Sequence, residues 1–379
     1  MSDFDAAVAA RLEGWTAERV ADRLWDKDGS LWAASGKPAE EVAAWLGWLD
    51  LPSSMSDRVT ELEHLARDVR EDGYRRAAVL GMGGSSLAPE LFSRVFGWAG
   101  GPAGNGAASA DGLELRILDS THPAVVRGFR SWASEGRTLF CVSSKSGGTT
   151  EPNAYQAAMA DIAPALDFLA ITDPGTALAE LARAQEFRGI VEAPPDVGGR
   201  YSALTVFGLV PAVLNGLDVR GLLERARAMA DACHASDAAE NPGLALGAAM
   251  GEAALAGRDK LTILTSPRLA AFGDWAEQLV AESTGKAGTG IIPVVREPIS
   301  EASAYGADRY FVFLTLAGDR GALGALAGEL MDRGHQGQHL ELADPYDVGG
   351  EFVRWEVATA AAGIVLGIDP FDQPNVQES

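Results

Sequence analysis

In VLGMGGSSLAPELF, residues 79–92, an apolar strand runs into Gly83, Gly84, Ser85 and Ser86, and a helix follows at once. Glycines let the backbone approach a ligand, and a helix starting there aims unpaired N–H groups at an anion. The same strand–glycine–helix turn opens dinucleotide-binding folds and also occurs as a plain structural turn, so alone it leaves those readings open. The acidic ribose contact that a dinucleotide fold places about 20 residues on has no obvious counterpart in the Gly-rich stretch 97–112, which reads as a flexible surface loop.

Outward from this turn, short apolar or β-branched runs alternate with helical ones. Ala77–Met82, Leu113–Leu118, Thr138–Ser143 and Asp167–Thr172 read as strands with helices between them. A second unit begins near Asn241, with helix Leu244–Ala256, strand Lys260–Thr265, helix Pro267–Ala281, strand Tyr310–Thr315 and helix Gly321–Arg333. The last helix, Phe352–Gly367, has no good polar face and is expected to be buried. Such alternation is the mark of a parallel sheet covered by helices on both faces, so the expected class is α/β. Residues 1–75 read as a peripheral helical segment, with Glu40–Trp48 and Ser56–Arg70 separated by LPSS as a turn. The expected organisation is thus 1–75, 76–240 and 241–379, with a ligand at the carboxyl ends of the strands, in the crevice facing the other unit.

Composition bounds the function. A chain of 379 residues with 47% hydrophobic and 22% charged residues is ordinary globular material, long enough for roughly two domains. A net charge of -22 argues against nucleic acid or an anionic membrane as partner, since both demand a basic face. An anionic ligand would need a locally positive pocket. The only cysteines, Cys141 and Cys233, can form neither a disulfide framework nor a four-cysteine metal site, which fits a reducing cytoplasm. No basic start followed by an apolar run opens the chain, and the most apolar stretch, Thr359–Ile368, is shorter than the about 20 residues that span a bilayer.

Three further stretches carry candidate chemistry. In FCVSSKSGGTTEPNAY (140–155) an apolar strand is followed by Ser144, Lys145, Ser146, Gly148, Thr149 and Thr150 just before a helix. Hydroxyls, a glycine pair and a cation at a helix N-terminus supply several donors to a phosphate; a well-capped helix is the plainer reading, yet a cap needs only one hydroxyl. In PPDVGGRYSALTVFG (194–208), Gly198 and Gly199 deliver Arg200 just before an apolar helix, where it would stabilise an enediolate oxygen or simply pair with a carboxylate. In WAEQLVAESTGKAGTGIIPV (275–294), Gln278 and Glu282 stand i and i+4 on one helical face, ahead of a Gly-rich loop with Lys286. Glu282 there is a candidate general base or an ordinary solvated glutamate.

In order and spacing, these stretches resemble the glucose-6-phosphate isomerase family from about residue 40 onward, and the close of the chain, GIDPFDQPNVQES (367–379), resembles the family's NPFDQ signature. SKSGGTTEP, VGGRYS and AESTGK are closest in style to the bacterial branch that also occurs fused to transaldolase. The resemblance implies two sugar-isomerase (SIS, flavodoxin-like) three-layer αβα domains with mainly parallel sheets. It implies a hexose phosphate substrate interconverted between glucose 6-phosphate and fructose 6-phosphate, in glycolysis and gluconeogenesis. Gly84 and Ser85 would contact the phosphate, with Ser144, Lys145, Ser146, Gly148 and Thr149 as the main phosphate loop. Arg200, presented by Gly199, would stand beside the enediolate, Gln278 would contact substrate, and Glu282 would be the base; no metal and no organic cofactor is implied. A homodimer is the family's usual state.

Two departures stand out. Where family members carry a ring-opening histidine, downstream of the base, this sequence reads ISEASAYGADR (299–309), with Ser303 or Tyr305 near the expected position. His335 and His339 sit in a strand-like stretch and read as structural or surface residues, while His64, His122 and His234 match nothing. The lysine that follows the family's NPFDQ would be the residue immediately after Ser379, so the expectation is a piece of a longer protein, with a further C-terminal segment or a fusion partner. Two rival readings remain open at this point: a non-catalytic phosphosugar-binding module, and a nicotinamide-dependent enzyme using Gly81–Gly84 as a dinucleotide turn.

Overall fold

Thr138–Ser143 is buried at every position, the continuous apolar run expected of a strand covered on both faces. The computed structural model describes residues 2–97, 111–286 and 288–372. Most of the Gly-rich loop at 97–112 and the end of the NPFDQ-like stretch therefore lie outside the described residues. The chain packs as two compact units, Asp50–Leu223 and Met1–Leu49 with Glu224–Ser379.

In Asp50–Leu223, strands β1 (Arg76–Leu80), β2 (Glu114–Leu118), β3 (Thr138–Ser143), β4 (Phe168–Thr172) and β5 (Gly189–Glu192) form one parallel sheet in the order β2-β1-β3-β4-β5. This is the flavodoxin-like order, not the 3-2-1-4-5-6 order of dinucleotide-binding sheets, which removes the main support for a dinucleotide turn at Gly81–Gly84. Central β1, β3 and β4 are almost wholly buried, whereas β2 and β5 at the edges keep exposed positions. Phe140, Phe168 and Phe187 stack in series at 5.1 and 5.2 Å on one face. Burying a phenylalanine contributes about 1.5–3 kcal/mol, so this row is a main anchor of the sheet. The helix Val206–Leu214 is buried throughout and packs with Leu51–Glu71 and Leu87–Phe96. LPSS at 51–54, expected as a turn, is instead the first turn of the helix Leu51–Glu71, because Pro52 falls in the first helical positions, where its missing N–H costs nothing.

The other unit carries β6 (Lys260–Thr265), β7 (Ile292–Val294), β8 (Arg309–Leu316) and β9 (Gln336–Leu342), again all parallel, in the order β7-β6-β8-β9. Both sheets carry helices, so the α/β expectation of two flavodoxin-like sugar-isomerase domains holds. The last helix, Val348–Leu366, is buried over most of its length and packs against Pro242–Leu255. Their close approach depends on a small-residue stripe: a Cβ on Gly243, Gly247 or Gly251 would lie 2.4–2.6 Å from Val357, Ala358 and Val365 atoms. Among the described residues, no helix is long and apolar enough to cross a membrane. Burial pushes the Cys141 and Cys233 thiols up to about 12.

Candidate active site

The switch point of the first sheet lies between β1 and β3, where ligands of open α/β sheets bind beyond the strands' carboxyl ends. Leu80 pairs with Val142, so the turn after β1 and the loop after β3 emerge side by side. The first turn winds as a short 3-10 helix, Gly83–Ser85, and leads into the helix Leu87–Phe96. Ser143 Oγ donates to the Ser85 carbonyl at 3.3 Å, joining the two segments. A second 3-10 turn, Gly199–Tyr201, lies against the first: a Cβ on Gly84 would stand 2.1 Å from the Gly199 carbonyl oxygen. Ser202 Oγ ties the pair by donating to Gly199 O at 2.6 Å and reaching Gly84 O at 3.4 Å. Arg200 is thereby placed beside the switch-point loops with only 3% of its surface exposed.

The loop after β3 has the hydroxyl-lined character expected of it. Ser144 is buried, and its Oγ donates to Thr149 Oγ1 at 3.1 Å; Ser146 Oγ lies 3.5 Å from the same oxygen and accepts from Gly148 N at 3.2 Å. Gly147 turns the loop with φ +66°, a conformation that disfavours side chains. Thr149 is the N-cap residue of the helix Thr150–Met159, yet its side chain makes no capping bond. The Thr149 hydroxyl is thus not spent on a cap, and the helix start keeps its positive dipole end facing the loop. Lys145 pairs with Asp173, and its Nζ also donates to the Pro195 carbonyl at 3.3 Å. Burial raises the Asp173 pKa, with Lys145 pulling the other way. Gly84, Ser85, Ser144, Lys145, Ser146, Gly148, Thr149, Gly199 and Arg200 all fall in these loops.

Gln278 and Glu282 belong to the other unit, on the helix Ala270–Thr284. Gln278 Nε2 donates to Glu282 Oε1 at 3.1 Å, so the shared face anticipated from their spacing is real, and Glu282 is exposed. Just past the helix, buried Lys286 donates to the Asp369 and Asp372 carbonyls, both at 2.7 Å, and to Asp372 Oδ1 at 2.6 Å. The STGK and DPFD stretches are therefore joined directly. Phe371 completes the anchor with its ring 5.0 Å from Trp32.

No histidine takes the ring-opening position. Ser303 is exposed, while Tyr305 packs its ring on Phe311 and its hydroxyl accepts from Ser300 N at 3.1 Å. His339 shares a 2.7 Å hydrogen bond with Thr315 and His335 packs edge-on to Phe311, in keeping with structural roles.

No protein-family model matches the chain. The glucose-6-phosphate isomerase of Rubrobacter xylanophilus is 27% identical over 427 aligned positions, covering 99% of this chain and 95% of that protein. The Symbiobacterium thermophilum glucose-6-phosphate isomerase is 29% identical over 88% of this chain and 85% of its own length. Over most of its length the chain is thus similar to bacterial glucose-6-phosphate isomerases. Among solved structures, a hypothetical protein from Thermus thermophilus superposes with a TM-score of 0.76 at 22% identity, over 97% of this chain and 96% of the other. A glucose-6-phosphate isomerase from Chlamydia trachomatis does so with a TM-score of 0.72 at 18% identity, over 100% and 84%. At those identities the likeness speaks of fold alone.

Two residues of these loops, Asp173 and Ser202, do not stand out in the sequence. The signal available for Asp173 was an acid directly after an apolar strand; for Ser202 it was a hydroxyl in VGGRYS, close enough to the glycines to bond their carbonyls.

Proposed function

We propose that the chain is an aldose–ketose isomerase that interconverts glucose 6-phosphate and fructose 6-phosphate through a cis-enediolate. The supporting observation is the hydroxyl-lined loop at the β1/β3 switch point, set at a helix start that its own N-cap side chain leaves uncapped. Phosphate oxygens need several N–H and O–H donors, and such a helix start supplies them with favourable dipole sign. In this reading Ser144, Lys145, Ser146, Gly148 and Thr149 take the phosphate, assisted by Gly84 and Ser85. After ring opening, the Glu282 carboxylate removes the C2 proton of the aldose, and the electron pair moves toward the C1 oxygen as the enediolate forms. Arg200, held by the Gly199 turn, stabilises that negative oxygen. The O2 hydroxyl proton passes to O1, and Glu282 returns the carbon-bound proton to C1, leaving the C2 ketone and a C1 hydroxyl, while Gln278 orients the carboxylate and touches substrate. General-base transfer and electrostatic stabilisation together make a sufficient set for proton abstraction beside a carbonyl. Exposure of Glu282 allows a substrate to reach it.

The motif wording supports placement in the branch that also occurs fused to transaldolase. We read the protein as a cytoplasmic homodimer, which light scattering of the purified chain tests. For the chemistry, Glu282→Gln is expected to abolish C2 proton exchange in deuterated water while hexose phosphate affinity stays within about threefold, the variant keeping shape and losing basicity. Exchange at the wild-type rate in that variant removes Glu282 as base. Absence of exchange in the unaltered protein, with phosphosugar still bound, returns the reading to a binding module.

A further inference from the structure

Asp173, the first residue beyond β4, is bound to the hydroxyl loop twice. Its N–H donates to the Lys145 carbonyl at 3.2 Å, and its carboxylate pairs with the Lys145 ammonium. The ammonium also donates to the Pro195 carbonyl, so two of its three hydrogens are engaged within the protein. Neither side chain is well hydrated, at 20% exposure for Lys145 and 15% for Asp173. Asp173 Oδ1 is buried with no hydrogen-bond partner. An unsatisfied buried carboxylate oxygen is costly, and a neutral residue would brace the loop equally well through its N–H. The acid therefore calls for an explanation beyond packing. Thr172 adds a brace of its own, its hydroxyl donating to the Lys145 carbonyl at 3.3 Å.

We propose, on the basis of the phosphate-loop reading above, that Asp173 is a positioning residue that holds and neutralises Lys145, making the loop selective for phosphosugars over bare inorganic anions. With its one cation paired, the loop attracts a small dianion only weakly by charge. Binding then relies on directed hydroxyl and amide donors, one remaining ammonium N–H and the contacts of the sugar itself. This arrangement keeps inorganic phosphate from occupying the loop and lets the product leave. Asp196 is the other charged group bearing on Asp173, and it acts in the same sense as burial, raising the carboxyl's pKa against Lys145.

Sulfate is the probe, since it keeps its double charge from pH 5 to 8, and calorimetry on the full chain reads its affinity. Asp173→Asn, nearly isosteric, is expected to bind sulfate on the order of tenfold tighter at pH 8, because the Lys145 ammonium is no longer held and offset by a carboxylate. The gap between wild type and variant should close as the pH falls and the native carboxyl protonates. Lys145→Met should weaken sulfate binding, and adding Asp173→Asn to it should change nothing further, because Asp173 acts through the lysine. A purely structural role would move melting temperature without this coupling. Equal sulfate affinity in wild type and Asp173→Asn, with Lys145→Met still weakened, overturns the role of Asp173 and leaves the phosphate loop standing. Lys145→Met matching wild type for both sulfate and hexose phosphate overturns Lys145's place in the loop and, with it, this inference. Asp173→Ser repeats the measurement should the asparagine variant fold poorly.

Discussion

Replacing Lys286 with methionine removes a cation whose side chain is only 7% exposed and which donates to two carbonyls and one carboxylate oxygen. Hydrogen bonds from a charged donor contribute about 1.5–3 kcal/mol each, and orphaning one partner of a buried pair costs about 3–5 kcal/mol. The three bonds share one nitrogen and are not additive, and Asp372 keeps a second cation, Lys37 Nζ at 3.5 Å. We therefore expect a loss near the bottom of the buried-pair range, about 3 kcal/mol. For a domain of 150–250 residues that corresponds to a fall in melting temperature of about 6–12 °C. Thermal unfolding followed by tryptophan emission suits the test, since the ring of Trp32 meets Phe371 within the anchored segment. A variant that melts within about 1 °C of the parent would show that the lysine tether contributes nothing, and the reasoning from its three acceptors would fail.

Gly84→Ala should push the two glycine turns apart, because its methyl would meet the Gly199 carbonyl oxygen at 2.1 Å. A loss of about 1–3 kcal/mol in urea unfolding, with weaker hexose phosphate binding, is expected; unchanged binding would separate the turns from the site. Glu356 is 1% exposed, no cation pairs with it among the described residues, and burial raises its pKa well above the usual carboxylate range. A folded pKa above the unfolded one makes the native state the better proton binder, so wild-type stability falls as the pH climbs above about 4.3. Glu356→Gln should escape that fall, its advantage growing with pH; a difference constant from pH 4 to 8 would refute it.

The central strands were legible because burial on both faces leaves a continuous apolar run: Thr138–Ser143 was placed to the residue. Edge strands lack that mark. β5 is four residues and partly exposed, and β7 is three residues with Pro293 in the middle, so neither stood out from loop. Helix starts were blurred where a 3-10 turn intervenes: Pro267–Ala281 resolves into Pro267–Leu269 and then Ala270–Thr284. Among the candidate residues, the loop around Lys145 and the shared face of Gln278 and Glu282 are legible from local spacing alone. The Lys145–Asp173 pair and the Lys286–Asp372 tether could not, since each joins residues that only the fold brings near. The buried acids of the last helix were equally silent, because Glu351 and Glu356 look like any surface glutamate in sequence.

One unit is continuous in the chain, Asp50–Leu223, while the other is split into Met1–Leu49 and Glu224–Ser379. On a ribosome the continuous unit emerges whole and is free to fold while the rest is still being made. The leading helices must wait for their partners, on the order of ten to thirty seconds at about 5–20 residues per second. During that interval Trp15, Trp32 and Leu24, all buried in the complete chain, have only the other leading helices to pack against. Nascent-chain handling by chaperones should therefore centre on this leading segment.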